Sequence, residues 1–178
     1  YTFLHTLSLH DALPIWTIGC NVQRRCNYWR RNYCQGRKIM TDLEKAKEIF
    51  QKENCTLVLC KGDDVFTSDQ TGIKKLVELA EGDKDFSDYS ACDKIVGRAA
   101  AFLYVLLGVK HVHATVMAKL AIQILDRAEI TYSADTFADT IQNRQNTDIC
   151  PMEKAVIRSG SPIKALEDIK AELERLSV

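Results

Sequence analysis

The spacing of apolar residues predicts a helix and a hairpin at the start of the folded part of the chain. Thr41 and Glu44 form a capping-box pattern at the beginning of TDLEKAKEIFQKEN, whose apolar residues recur on a single stripe. The next segment, CTLVLCKGDDVFTSD, contains two short β-rich runs around turn residues 61–64, which is typical of a β-hairpin. GIKKLVELAEG then has the pattern of a short amphipathic helix.

The second half of the pattern alternates helices and strands. Residues 90–108, SACDKIVGRAAAFLYVLLG, are apolar on nearly every side and predict one buried helix that ends at Gly108. VKHVHATVM predicts a strand, KLAIQILDRAE an amphipathic helix and ITYSADTF another strand. After a polar loop, two helices follow, the second with Ser161 as its cap and Pro162 at its first position. This order predicts an α/β fold, a three-layer α/β/α sandwich with a mixed sheet.

The first 39 residues differ from the rest, and we interpret them as an artefactual or untranslated leader. Residues 6–15, TLSLHDALPI, can be encoded by a sequencing adapter read in frame, so that residues 1–15 look like translated adapter. Residues 16–39 contain three cysteines and six Lys/Arg, no acidic residue and no apolar periodicity. Gln35-Gly36-Arg37 can be encoded by a purine-rich stretch like a bacterial ribosome-binding site. We therefore expect a single folded domain over residues 40–178, which starts at Met40.

Two other interpretations of the leader are a signal peptide and a nucleic-acid-binding arm. A signal peptide would need an apolar stretch before its cleavage site, and residues 16–39 have none. A basic arm would fit the Arg pairs that flank Tyr28 and Trp29. The leader holds six of the chain's 24 basic residues and one of its 24 acidic residues, so the domain from Met40 has 18 against 23, a net charge of −5. Such a domain is unsuited to binding nucleic acid through its phosphate backbone.

Cysteine usage and hydropathy indicate the cellular compartment of the domain. Four cysteines lie in residues 40–178 without a CxxC pair, so the sequence has neither a zinc-ribbon nor a thioredoxin motif. In the absence of a signal peptide we expect reduced thiols and a cytoplasmic location. The most apolar stretch, residues 95–109, contains Arg98 and is too short to span a bilayer, so we expect no membrane partner.

The segment ICPME places a thiol where a helix cap is expected. Pro151 suits the first helical position and Glu153 the third, which makes Cys150 the cap. A thiol is a poor capping acceptor, whereas a thiolate would be stabilised by the helix dipole and its free N–H groups. Cys150 is therefore a candidate nucleophile, metal ligand or redox thiol. The alternative is a small buried hydrophobic residue.

A second predicted helix start, SACDKIVG, places Cys92, Asp93 and Lys94 in a first turn. The dipole favours Asp93 there but not Lys94, which is expected to face an anion or a carboxylate. The alternative is that Asp93 caps the helix and that Lys94 is solvated. Two helix N-termini that face one crevice would form an anion or nucleotide pocket, and Arg144, in the loop before Cys150, would line it.

Two histidines also share one face of a predicted strand. His111 and His113 alternate along VKHVHATVM, so their side chains point the same way. Such a pair can bind a metal ion, but the commoner case is a pair of ordinary half-buried or exposed residues. We favour the ordinary interpretation, because their strand runs away from the predicted helix start.

The blocks CDKIVGRAAAFLYVLLGVKHVHA and ICPMEKAV, with the leading helix and hairpin, resemble the family catalogued as domain of unknown function 1893, over residues 40–159. The resemblance implies a cytidine-deaminase-like fold. Deaminases of that superfamily hold zinc through a His or Cys and the two cysteines of a Pro-Cys-x-x-Cys motif, and a Glu moves protons to and from zinc-bound water. Neither residues 92–94 nor residues 96–98 supply the Glu motif, and residues 150–153 supply one cysteine. We therefore expect no zinc cofactor and no nucleoside deamination.

The function we expect is binding of a nucleotide-like or other small anionic ligand between the two helix starts. The predicted ligand contacts are Cys92, Asp93, Lys94 and Arg144. One alternative is an enzyme that uses Cys150 as a thiolate nucleophile or redox centre, with Glu153 or Asp93 as its proton partner. Another is a non-catalytic structural or regulatory module that acts through homo-oligomerisation.

Overall fold

The computed structural model describes residues 40–177, and the interpretation of residues 1–39 as a leader lies outside them. The described chain contains strands β1 (Leu57–Lys61), β2 (Asp64–Ser68), β3 (Ser90–Val96), β4 (His111–Ala118) and β5 (Thr131–Ala138). It also contains helices α1 (Asp42–Lys52), α2 (Lys74–Glu81), α3 (Arg98–Leu107), α4 (Lys119–Arg127), α5 (Pro151–Ala155) and α6 (Pro162–Leu176).

The strands form one mixed sheet in the order β2-β1-β3-β4-β5. Strand β1 pairs antiparallel with both β2 and β3, whereas β3, β4 and β5 run parallel. Helices α3 and α4 connect the parallel strands, as a parallel pairing requires a long crossover. The predicted α/β fold with a mixed sheet is therefore confirmed.

Helices cover both faces of the sheet, and the alternation along β1 separates the two faces. Val58 and Cys60 pack with Ala46 of α1, while Leu57 and Leu59 belong to the larger core under α2 and α3. Successive side chains of a strand point to opposite faces. Helix α1 therefore covers one face, over β1 and β3, and the remaining long helices cover the other.

Local signals in the sequence were reliable at element ends. The Thr41 hydroxyl accepts from the Glu44 N–H at 3.2 Å and the Glu44 carboxylate accepts from the Thr41 N–H at 2.9 Å, so the predicted capping box is present. Gly108 ends α3 in the left-handed conformation (φ 66°), which glycine adopts without strain. The Ser161 hydroxyl accepts from the Lys164 N–H at 3.3 Å, as expected of a helix cap.

Residues 90–108 do not form the single helix that their apolar run predicts. Strand β3 occupies Ser90–Val96, Gly97 is the cap, and α3 begins at Arg98. The strand was missed because it lacks β-branched alternation and is covered by helices on both faces, so that its apolar run resembles a buried helix.

Membrane insertion through a helix is not a feature of the described part of the chain. Within residues 40–177, no helix combines the length and the hydropathy needed to cross a bilayer.

Candidate functional site

Cys150 is the cap residue of α5, as predicted, but its thiol does not cap the helix. Pro151 occupies the first helical turn, and the Cys150 thiol makes no capping hydrogen bond. Its backbone is held instead, because its N–H donates to the Ile141 carbonyl at 2.9 Å and its carbonyl accepts from the Lys154 N–H at 3.1 Å. The thiol is half-buried and packs against the larger core. Packing therefore accounts for a thiol at this position.

Glu153 does not complete a capping box with Cys150 but reaches across to α3. Its Oε1 atom accepts a hydrogen bond from the Ala99 N–H at 3.2 Å, and only 7% of the residue is exposed. The first N–H groups of a helix have no partner within the helix and carry its positive dipole end. The Glu153 carboxylate thus caps α3 from another helix.

The environment of Glu153 has opposing effects on its titration. Burial raises the pKa of this carboxyl, since it penalises the charged form. The N–H groups of Ala99 and Arg98, together with the Arg98 charge, oppose that rise in pKa. The carboxylate is therefore held in a buried position by the helix end that it caps.

Gly97 is required by this arrangement. A Cβ atom at residue 97 would lie 2.2 Å from the Glu153 Oε1 atom and 3.1 Å from the Ile141 Cγ1 atom. Since Gly97 has φ −97° and ψ −173°, its role is not a left-handed turn but close approach. The starts of α3 and α5 meet at this point, with Glu153 filling the space between them.

Cys92, Asp93 and Lys94 lie on β3, and their predicted placement in the first turn of a helix is wrong. Cys92 is fully buried and packs in the cluster that contains Ala46 of α1. Burial raises the pKa of its thiol to about 12. Asp93 points towards α3 on the opposite face, and Lys94 is exposed. The three side chains therefore do not line one pocket.

Asp93 is paired with Tyr104 beneath α3. The Tyr104 hydroxyl donates to the Asp93 Oδ2 atom at 2.6 Å, and the Ile95 N–H donates to the Oδ1 atom at 3.2 Å. Burial raises the pKa of Asp93 to about 6, against the effect of these hydrogen bonds, and the pKa of Tyr104 is raised well above its usual value, chiefly by burial. The pair joins the partly buried Asp93 to the fully buried Tyr104 and links β3 to α3.

A series of contacts at one corner of the sheet links the backbone of Lys94 with Arg144 through the ends of the β1–β2 hairpin. The Lys94 N–H donates to the Thr56 carbonyl at 3.1 Å, and the Thr56 hydroxyl donates to the Gln70 carbonyl at 2.7 Å. The Arg144 Nη2 atom contacts the Thr71 hydroxyl at 3.5 Å. Residues 94 and 144 are therefore neighbours of the same hairpin, and both side chains are exposed.

The loop that carries Arg144 is a tight turn with its own hydrogen bonds. The Asn143 N–H donates to the Asp148 carbonyl at 2.8 Å, and the Asn143 side-chain oxygen accepts from the Thr147 N–H at 3.0 Å. Because these bonds close the turn around residue 144, the position of the Arg144 backbone does not depend on a ligand. The polar sequence of the loop did not indicate this hydrogen-bonded turn.

The α1 side of the sheet holds a polar cluster of which the sequence analysis identified only His113. The His113 Nδ1 atom lies 2.8 Å from the Ser133 Oγ atom, and its Nε2 atom lies 3.6 Å from the Asp135 Oδ1 atom. The Lys47 Nζ atom, on α1, lies 3.5 Å from the same Ser133 hydroxyl. His111 contacts the Thr131 hydroxyl instead. The parallel pairing of β4 and β5 creates this cluster, and no sequence motif indicates it.

The arrangement of thiols and acids does not fit the zinc set of a deaminase. Cys92 packs against α1 on one face, and Cys150 packs against the core on the other. Among residues 40–177, no group of three or more His, Cys, Asp or Glu side chains is placed to hold a metal ion. The expectation that zinc is not used remains a prediction for metal analysis.

Comparison with known proteins supports the resemblance seen in the sequence. The model of the family described as TM1506, domain of unknown function (DUF1893), matches residues 45–173. The chain is similar to the crystal structure of a DUF1893 family protein (TM1506) from Thermotoga maritima, solved at 2.70 Å resolution, with 28% identity and a TM-score of 0.67. The similarity covers 77% of this chain and 92% of that one. No curated protein matches the chain. The predicted family is confirmed, and the chain belongs to the DUF1893 family of domains of unknown function.

Proposed function

We propose that this domain binds a small phosphate-bearing, nucleotide-like anion at the carboxyl end of β3, without zinc-dependent deamination. The observation that carries the proposal is the series of contacts that links the backbone of Lys94 with the Arg144 side chain through the ends of the β1–β2 hairpin. Ligands of open α/β sheets gather beyond the carboxyl ends of parallel strands. Arginine binds phosphate through a planar pair of donors, and lysine binds it as a point charge.

The ligand binds outside the space between the starts of α3 and α5, which differs from the sequence-based expectation. Glu153 already accepts a hydrogen bond from the Ala99 N–H and is buried there. An incoming anion would have to displace this carboxylate or lie beside it, and both outcomes are unfavourable for like charges. Lys94 and Arg144, by contrast, are exposed.

The alternative of an enzyme with a Cys150 thiolate has weaker support. Helix α5 has five residues, so few peptide dipoles are aligned to stabilise a charge at its start. The Cys150 thiol packs against the core and makes no capping bond. A role for Cys150 in packing explains both observations.

An oligomeric module is the second alternative, and exposed apolar residues favour it. Ile157, which follows α5, is 61% exposed, and Ile163, in the first turn of α6, is 67% exposed. Single exposed apolar residues are common on protein surfaces, so these two are weak support for an interface. We also propose a cytoplasmic location, since the four cysteines of the described residues are free thiols.

Titration calorimetry with inorganic phosphate, AMP and ADP tests the proposal. We expect a phosphate compound to bind and its affinity to fall as salt increases. Lys94→Ala and Arg144→Ala should each weaken binding about tenfold, because a hydrogen bond to a charged group contributes roughly 1.5–3 kcal/mol. A titration of the unchanged protein with each compound gives the reference affinity.

The matched control is Lys110→Ala, which removes an exposed lysine just before β4, at the opposite end of the parallel strands. Its affinity should equal that of the unchanged protein. The proposal fails if none of the three compounds binds at millimolar concentration. It also fails if the control variant loses as much affinity as Lys94→Ala does.

A further inference from the structure

Ser133, His113 and Asp135 form a connected row on the α1 side of the sheet. Parallel pairing of β4 with β5 places His113 directly beside Ser133. Residues 133 and 135 point to the same face, roughly 7 Å apart along the strand, which leaves room for an imidazole ring between them. Serine, histidine and aspartate are thus joined through the two nitrogen atoms of one imidazole.

We propose that Ser133 is a nucleophile activated by His113, and that the domain transfers the acyl group of an activated ester through an acyl-serine intermediate. The arrangement has the three roles that nucleophilic catalysis by a hydroxyl requires, namely a nucleophile, a base within hydrogen-bonding distance and a group that orients the base. The proposal is independent of the anion site at Lys94 and Arg144.

The two contacts of the imidazole ring assign a role to each nitrogen of His113. The Nδ1 atom lies 2.8 Å from the Ser133 Oγ atom, close enough to accept its proton. The Nε2 atom lies 3.6 Å from the Asp135 carboxylate, which favours the tautomer with the proton on Nε2. Asp135 is therefore a positioning residue that leaves Nδ1 free to act as the base.

The surroundings of His113 favour the neutral form of its ring. Burial lowers the pKa of His113, and the Lys47 charge lowers it further, whereas the Asp135 charge and the Ser133 backbone act in the opposite direction. A neutral imidazole accepts a proton, and the imidazolium that forms faces the carboxylate of Asp135.

Lys47 supplies positive charge beside the nucleophile. Its Nζ atom lies 3.5 Å from the Ser133 Oγ atom, so it is near the negative charge that develops on attack. Helix α1 carries Lys47 over β3 and β4, which fixes the lysine at the edge of the covered part of the sheet. Ser133 itself is only partly buried, so a small ester has access to its hydroxyl.

The reaction has two steps that balance. In the first, Ser133 Oγ forms a bond to the acyl carbon, His113 Nδ1 takes the hydroxyl proton, and the bond to the leaving alcohol breaks as that alcohol receives the proton. In the second, a water molecule attacks the acyl-serine while His113 takes a proton from the water. The carboxylic acid leaves, and Ser133 regains its proton from His113.

Labelling with p-nitrophenyl acetate and with a fluorophosphonate, read by intact mass and peptide mapping, tests the inference. We expect a single adduct on Ser133 and release of p-nitrophenol. His113→Gln should slow labelling about 100-fold or more, which is the usual contribution of a general base. Ser133→Ala should abolish the adduct, and Ser133→Cys should restore acylation. Thermal unfolding of each variant shows whether it is folded.

The matched control is Ser87→Ala, which removes an exposed serine from the loop before β3 and should leave labelling unchanged. Labelling of the unchanged protein spread over many surface residues, or located on Lys47, would overturn the inference. So would an unchanged rate in folded His113→Gln. A Ser133→Cys variant that is folded but reacts no faster with p-nitrophenyl acetate than free cysteine does would contradict the role of His113 as a base.

Discussion

The polar side chains on the two faces of the sheet differ in where they find their hydrogen-bond partners. On the α3 face, Glu153 and Asp93 are directed into the protein, where the Ala99 N–H and the Tyr104 hydroxyl bind them. On the α1 face, His113 and Ser133 are joined in a row that ends at the exposed Asp135. A buried polar group needs an internal partner and thereby becomes part of the structure. The comparison indicates that Glu153 and Asp93 stabilise the fold, while the polar side chains of the α1 face are more accessible to a substrate.

The strongest test of the α3 face is Gly97→Ala. A methyl group there would overlap the Glu153 carboxylate, since the new Cβ atom would lie 2.2 Å from Oε1. We expect the free energy of unfolding to fall by about 2–3 kcal/mol, from overpacking and from loss of the hydrogen bond to α3. Urea denaturation measures this change.

Two further variants make the Gly97→Ala test specific. Gly160→Ala is the control, because a Cβ atom at that position meets nothing within 4 Å. The double variant Gly97→Ala/Glu153→Ala should lose less free energy of unfolding than the sum of the losses of the two single variants, since both substitutions disrupt one contact. Fully additive losses would mean that Glu153 does not contact the start of α3.

A smaller effect is expected from the titration of Asp93. Its folded pKa of about 6 exceeds the ordinary value of 3.8, so the native state binds more protons between these values. The free energy of unfolding should therefore fall as pH rises through this range, by on the order of 2 kcal/mol. Asp93→Asn should remove that part of the pH dependence in urea denaturation at several pH values.

The exposed Asp83 gives a control for the pH experiment, because Asp83→Asn changes a carboxylate outside the core. This variant should follow the pH profile of the unchanged protein. If Asp93→Asn had the same pH profile as well, the Asp93 carboxyl would not be held in a buried pair with Tyr104.

The smallest effect is expected at Cys150. Cys150→Ala should lower the free energy of unfolding by about 1 kcal/mol or less, since the thiol is half-buried and caps nothing. In the folded protein, iodoacetamide should label Cys150 well before Cys92, which is fully buried and whose pKa is raised to about 12. Peptide mapping over time measures both rates. Labelling of Cys92 first would contradict the burial of β3.

The parts of the fold that were predictable from sequence are those set by neighbours along the chain. The Thr41 capping box, the hairpin turn and the Ser161 cap each depend on residues within four positions of one another. Strand β3 was not predictable in this way, because it is a strand only through its pairing with β1 and β4. Periodicity cannot distinguish a strand buried on both faces from a buried helix.

In the candidate site too, the local features were predictable from the sequence and the long-range contacts were not. The sequence pattern identified Cys150 as a cap and Glu153 as the third helical residue, and both positions are correct. The pattern assigned Glu153 to its own helix, whereas its partner Ala99 lies 54 residues away. The contact between His113 and Ser133 spans 20 residues and depends on the register of β4 and β5. A single sequence gives no direct signal for such contacts.

The most direct test of the central claim compares Lys94→Ala with Glu153→Gln in phosphate or nucleotide titrations. The account places the anion at the exposed corner and gives the buried carboxylate a structural role. It predicts that Lys94→Ala weakens binding about tenfold and that Glu153→Gln, whose side-chain oxygen can still accept from the Ala99 N–H, leaves the affinity within about twofold. Tighter binding in Glu153→Gln, together with no change in Lys94→Ala, would place the anion at the helix starts and contradict the account.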